Sequence, residues 1–139
     1  MNSAALPKEF LKSLYRFYKI RSNKAVNMAM HGEAFALQII AQHNDFVVPS
    51  DIENAMSVSS ARIATILSGL ENKGLITRRI DTNDRRRTIL RLTQKGEIHA
   101  TKSEEQLLVW ATELFEYLGD EDAKHCIRII SKIADKCDD

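Results

Sequence analysis

Cysteine, proline and aromatic residues are scarce in this sequence, and so are extended apolar runs. The two cysteines, Cys126 and Cys137, cannot build a disulfide framework. Both fall in one helical pattern, roughly 16 Å apart along the axis, which is beyond the reach of a bridge. They are expected as reduced core or interface residues, with a redox switch as the alternative. Two prolines and five glycines in 139 residues exclude a collagen-like or low-complexity chain. Residues 35–41, the longest apolar candidate, fall short of the roughly 20 needed to span a membrane, so no membrane partner is expected. Residues 1–8 lack a basic stretch followed by an apolar one, no secretory signal is read, and the cytoplasm is the expected location. There is no glycine-rich phosphate loop and no Ser/His/Asp pattern in a structural context, so neither catalysis nor a cofactor is expected.

What is present suits one globular domain: the chain is 44% hydrophobic and 28% charged, enough to bury a core and solvate a surface. Its net charge of +1 conceals three blocks. Residues 1–57 carry six Lys/Arg against five Asp/Glu, residues 58–95 nine against three, and residues 96–139 five against eleven, or +1, +6 and −6. A neutral protein with one concentrated basic segment fits a polyanion binder whose other surfaces are kept from that polyanion, the alternative being a solvated basic face.

Periodicity places the elements. Phe10, Leu11, Leu14, Tyr15, Phe17 and Tyr18 recur at helical spacing behind Pro7 and predict a helix over residues 7–26. Ala34, Leu37, Ile40 and Ala41 predict a second over 33–42. Val47 and Val48 are expected to be extended before Pro49. Ser50 and Glu53 match a capping box, predicting a third helix from Asp51 to near Ser57. Ser59 is a natural N-cap for a fourth, whose stripe of Ile63, Ile66, Leu67 and Leu70 runs to Lys73 before Gly74 stops it. Two strands follow, over residues 75–80 and 88–93, around an arginine-bearing tip. A long helix from residues 94–96 to Gly119, with Leu107, Ala111, Leu114 and Leu118 on one face, leads to a last one. That helix has Asp120, Glu121 and Asp122 in its first turn and an apolar stripe through Cys126, Ile130 and Ile133.

The third and fourth helices, joined by a short turn, form a helix-turn-helix, and the hairpin adds a wing. The residues Leu70-Glu71-Asn72-Lys73-Gly74-Leu75-Ile76, then Arg79, then Asp81-Thr82-Asn83-Asp84-Arg85-Arg86-Arg87, then Leu92-Thr93-Gln94-Lys95-Gly96 closely resemble the multiple-antibiotic-resistance regulator (MarR) family. The strong match runs from Ile52 onward, and the flanking helices agree with the family layout over nearly the whole chain. The resemblance implies a mainly α (α+β) fold in a single domain, residues 1–139. Within it, residues 32–95 form a winged helix-turn-helix DNA-binding lobe, and residues 7–26 and 96–137 supply dimerisation helices. It implies a sequence-specific regulator of transcription that binds double-stranded DNA, a ligand-responsive repressor seated as a homodimer on a pseudo-palindromic operator. The alternative of another class is a winged helix used for protein or RNA contacts.

A helix fits the major groove of B-DNA, and residues near its N-terminus reach the base edges. Here those are Ser59, Ser60, Arg62 and, one turn on, Thr65. Arg62 suits a bidentate contact to guanine or a contact to phosphate, and Ser59 suits a cap or a DNA contact. At the wing, Arg85, Arg86 and Arg87 follow a turn, so at least one points away from the hairpin. By resemblance, Asp84-Arg85-Arg86 matches the family's Asp-x-Arg motif, in which the aspartate orients the arginine that enters the minor groove; a narrow minor groove attracts arginine by its negative potential. The chain departs from the family pattern at Ala64-Thr65, where many members carry Ser-Arg, and at Glu53, where many carry a small residue. Arg62 is then the arginine available on this helix.

The apolar faces of the first, fifth and sixth predicted helices exceed what a core of this size absorbs, which invites a partner. A two-fold dimer would set two reading helices about one DNA turn apart. The resemblance also implies a small aromatic or anionic effector between the dimerisation helices and the DNA lobe. Tyr15, Tyr18, His31 and Phe35 are the candidates, with ordinary core roles as the alternative. His31, Glu33 and His99 are fragments of a metal set without its spacing, so no metal site is expected. For peroxide sensing the resemblance implies a reactive cysteine in the first helix, and the chain has none there.

Overall fold

The computed structural model describes residues 5–19, 32–43 and 46–138, with Tyr18 by its backbone alone. Along the described chain the order is α1 (Ala5–Lys19), α2 (Gly32–Gln42), α3 (Pro49–Met56), α4 (Ser60–Asn72), β1 (Ile76–Ile80), β2 (Thr88–Leu92), α5 (Gln94–Leu118) and α6 (Asp120–Cys137). Contacts divide it into two units, residues 1–104 and 105–139.

In the first unit the stripe on α4 is buried as its spacing requires. Ile63, Ile66, Leu67 and Leu70 share an interior with Leu37 and Ile40 of α2, Ile52 of α3, and Ile76 and Leu90 of the hairpin. Each such side chain contributes about 1.5–3 kcal/mol on full burial, so this interior fixes how α3 and α4 sit together. β1 and β2 pair antiparallel from Ile76↔Leu92 to Ile80↔Thr88. Val47, extended ahead of Pro49 as expected, adds a single-residue bridge to the sheet, Leu90 N donating to Val47 O at 2.8 Å.

Two boundaries differ from the sequence pattern. α3 starts at Pro49, two residues early, and is not opened by a Ser50/Glu53 box. Proline suits a first helical position, where its missing N–H is not needed, and Asp51 Oδ2 accepts from Val48 N at 2.9 Å. α1 starts at Ala5 rather than residue 7, and the rest of its predicted span lies outside the described residues. α3 ends on Ser57, held at φ 53° and ψ 43° while its N–H reaches Glu53 O at 2.9 Å. That left-handed turn, followed by Ser59 Oγ accepting from Arg62 N at 3.3 Å, starts α4 at Ser60 as expected.

The end of α4 is joined to the start of α5 by backbone. Gly74 is left-handed, φ 73°, and a double closure forms around it, Leu75 N to Leu70 O at 3.0 Å and Gly74 N to Glu71 O at 2.9 Å. Thr93 then caps α5: its Oγ1 accepts from Gly96 N at 3.0 Å and donates to Gly74 O at 2.6 Å, while its N–H donates to Leu75 O at 3.0 Å. Lys95 Nζ donates to Lys73 O at 3.0 Å. Gly96 packs so closely that a Cβ there would lie 2.0 Å from Leu75 O. A second close approach links α2 to α4: Lys73 Nζ pairs with Glu33, and a Cβ on Gly69 would lie 2.0 Å from Glu33 Oε1.

The second unit holds the later part of α5 and α6. Leu107, Ala111, Leu114 and Leu118 are half-buried along one face of α5, as predicted. Gly119, at φ 82°, separates the helices, and the acidic first turn of α6 complements the helix dipole. Ala123 is buried, while Ile127, Ile130 and Ile133 are exposed. Cys126 and Cys137 both lie on α6 as free thiols. Among the described residues, no helix is long and apolar enough to cross a membrane.

Gly96→Ala is expected to lower the unfolding free energy by about 2 kcal/mol or more, because a backbone carbonyl cannot step aside. Gly69→Ala displaces only the end of a flexible side chain and gains helix propensity, so its effect stays within about 1 kcal/mol. Urea unfolding of both variants checks the order, and equal losses would overturn it.

Candidate nucleic-acid interface

The first half of α4 turns Ile63 inward and leaves Ser60, Ala61, Arg62, Ala64 and Thr65 exposed. Two of the predicted contact hydroxyls already serve the helix. Ser59 Oγ caps it, and Thr65 Oγ1 donates to Ala61 O at 3.2 Å. Both keep accepting capacity toward an outside donor. Ser60 and the Arg62 side chain have no such engagement among the described residues, so Arg62 is the charged, freely presented group on this face.

At the wing, the loop between β1 and β2 is closed by its own backbone. Asp81 N donates to Arg87 O and Arg87 N to Asp84 O, both at 2.9 Å, and the buried Asp81 takes Asn83 N on Oδ1 at 2.9 Å. One carboxylate oxygen, Asp84 Oδ1, accepts from Arg86 N at 3.1 Å and from Arg86 Nε at 3.2 Å. It therefore sets the turn and the side chain together. The Arg86 side chain is 92% exposed. Arg87 takes a different course, its guanidinium carbon 4.8 Å from the centre of the Phe46 ring, a cation–π contact that fastens the wing to the segment before Val47. Arg85 is exposed. The three arginines thus divide into one aimed outward by Asp84, one anchoring the loop, and one solvated.

Sequence reasoning missed the group that ties the hairpin to α4. Arg78 Nη2 donates to Ser68 Oγ at 3.2 Å and to Glu71 Oε1 at 3.3 Å, and its Nε donates to Glu71 Oε2 at 3.3 Å. The signal was there in the alternation: Arg78 lies between Ile76 and Ile80 on one strand face, so it had to meet the helix or be left unpaired. Of the effector candidates, Phe35 packs against the core and Tyr15 is exposed on α1, while His31 and the Tyr18 side chain lie outside the described residues. Glu33 is engaged by Lys73, and His99 is exposed.

The profile of the MarR family matches residues 31–88, which run from α2 through the wing to the start of β2. YwhA, an uncharacterized HTH-type transcriptional regulator of Bacillus subtilis, is 30% identical over 126 residues, 91% of this chain and 88% of its own length. The chain belongs to the MarR family. As a MarR-family protein it is a DNA-binding transcriptional regulator rather than an enzyme. A second B. subtilis relative, the uncharacterized HTH-type transcriptional regulator YdgJ, is 26% identical over 97 residues, so this chain spans 70% of itself but only 59% of YdgJ in that match. Among solved structures, FabT of Streptococcus pneumoniae in complex with DNA aligns with a TM-score of 0.72 at 20% identity, covering 94% of each chain. The MepR–DNA complex of S. aureus aligns with a TM-score of 0.72 at 19% identity, covering 94% of this chain and 96% of that one. These two share the MarR fold with this chain.

Asp84→Ala is expected to leave global stability within about 0.5 kcal/mol, since the pair it breaks is exposed. It should nonetheless raise tryptic cleavage at the wing arginines several-fold. Unchanged cleavage would mean that Asp84 does not order the loop.

Proposed function

We propose that this chain is a ligand-responsive repressor that binds a pseudo-palindromic operator as a homodimer in the cytoplasm. The observation that carries this is the wing: Arg86, oriented by Asp84 and exposed to solvent, is a pre-aimed cation in the same unit as an exposed helix face bearing Arg62. Arg86 enters the minor groove, where negative potential favours a guanidinium, Arg85 flanks it toward phosphates, and Arg87 supports the contact by bracing the loop on Phe46. α4 lies in the major groove with Arg62 on a guanine edge or phosphate, and Ser59, Ser60 and Thr65 complete the contact. The FabT and MepR structures are DNA complexes, which supports the same use of the fold here.

Residues 32–95 act as the DNA lobe, and the helices on either side act in dimerisation. Leu6, Phe10, Leu11 and Leu14 of α1 and Ile127, Ile130 and Ile133 of α6 are exposed in the single chain, a large apolar area for a protein that stays dissolved. A two-fold partner covers such faces and spaces two reading helices for one turn of DNA. A small aromatic or anionic effector, with Tyr15, Tyr18, His31 and Phe35 as candidate contacts, changes that spacing and releases the operator.

Fluorescence anisotropy on duplexes selected by the protein from a random library tests this. Arg86→Ala is expected to weaken specific binding by about 1–3 kcal/mol, and wild-type affinity would sink the assignment. Ile130→Asp is expected to shift sedimentation from dimer to monomer and to abolish tight binding, whereas a wild-type sedimentation profile would remove α6 from the interface.

A further inference from the structure

The hairpin has two faces, and only the inner one is accounted for. Ile76, Leu90 and Leu92 face or border the core, and Arg78 on the same side is neutralised by Glu71. The outer face carries Thr77 and Arg79 from β1 with Ile89 and Arg91 from β2. Thr77 stands opposite Arg91, and Arg79 opposite Ile89, so the two arginines are diagonal neighbours, about 7–8 Å apart across the ladder.

Both are exposed, and among the described residues neither has an ion pair or hydrogen-bonding partner for its side chain. They line a trough of about 230 Å³ with Thr77, Ile80, Thr82 and Ile89. Its one acidic lining residue, Asp81, is buried and turned to Asn83 N. Glu97 and Arg91 border a neighbouring cavity without pairing. Arg78, Arg86 and Arg87 each have a partner in the chain, so apart from Arg85 at the tip this is the uncompensated pair of the hairpin among the described residues. Like charges set together on a strand pair repel, and an anion between them removes the repulsion while taking charge-assisted hydrogen bonds from both guanidinium groups.

We propose that the outer face of the wing is a second phosphate-binding surface, on which Arg79 and Arg91 hold the backbone of DNA flanking the sequence read by Arg86 and α4. This rests on the DNA-binding function proposed above and extends its footprint to residues outside the Asp-x-Arg motif and the reading helix.

The test uses the wild-type chain and the Arg79→Ala/Arg91→Ala variant on two duplexes. One ends at the selected site, and the other extends about one helical turn beyond it on each side. On the long duplex the slope of log affinity against log salt is expected to fall by about 1.8 per bound chain. The wild type, bound as a dimer, then loses on the order of a hundredfold more affinity than the variant between about 50 and 200 mM salt. On the short duplex the two proteins differ little, and Arg79→Lys/Arg91→Lys keeps the wild-type slope. Thermal melts confirm that each variant is folded, which exposed positions favour. Equal slopes on the long duplex overturn the proposal, and equal losses on both duplexes overturn the flank assignment. Failure of the wild type to bind either duplex removes the regulatory function itself, a result distinct from the other two.

Discussion

Leu75 O occupies the space where a side chain on residue 96 would have to be, and it accepts the N–H of Thr93. That contact, with Thr93 Oγ1 on Gly74 O and Lys95 on Lys73 O, seals the end of α4 against the start of α5. The hairpin leaves from one side of this joint and returns to the other. The direction of the wing relative to α4 is therefore set by backbone hydrogen bonds shielded by Leu70, Leu75 and Ile76, and Arg78 adds a side-chain strut from β1 back to Glu71. The two segments Leu70-Glu71-Asn72-Lys73-Gly74-Leu75 and Leu92-Thr93-Gln94-Lys95-Gly96 look like separate motifs along the chain. In space they are the two halves of one structure.

This explains which parts of the fold were legible in the sequence. Features decided within a few residues were readable: Ser59 as a cap, Gly74 and Gly119 as stops, and strands whose boundaries shift by only one residue. The start of α3 was misplaced because two local signals competed there. Pro49 with Asp51 prevailed over Ser50 with Glu53, since a proline already holds the φ that a first helical turn needs. Contacts between elements distant in sequence were not readable. Glu33 lying over Gly69, Arg87 over Phe46 and Arg78 against Ser68 each require knowing which surfaces meet. For the candidate site the types and positions were visible, but the sharing of work among Arg85, Arg86 and Arg87 was not. It depends on a carboxylate two residues back and on a ring some forty residues away.

Charge is arranged with the same economy. The basic block coincides with α4 and the hairpin, whereas residues 96–139 carry most of the acid. Near-neutrality overall limits indiscriminate attraction to polyanions, while the local excess still draws one toward the reading elements. The basic block is not uniform either. Some of its arginines are structural, spent on Glu71 and Phe46, and only the remainder face outward.

The joint also bears on the entropy of forming the fold. Gly74 and Thr93 are 19 residues apart, and closing a loop of that length removes on the order of 3 kcal/mol of chain freedom, beyond a constant term. Gln38, which donates to Ala100 O at 2.6 Å, must find a partner 62 residues away. Once the hairpin and joint exist, most of that interval is already taken up in ordered structure, so the free chain left to close is far shorter than the sequence separation. A change that weakens Thr93 or Gly96 therefore makes the attachment of α2 to α5 entropically harder as well, although neither residue touches Gln38.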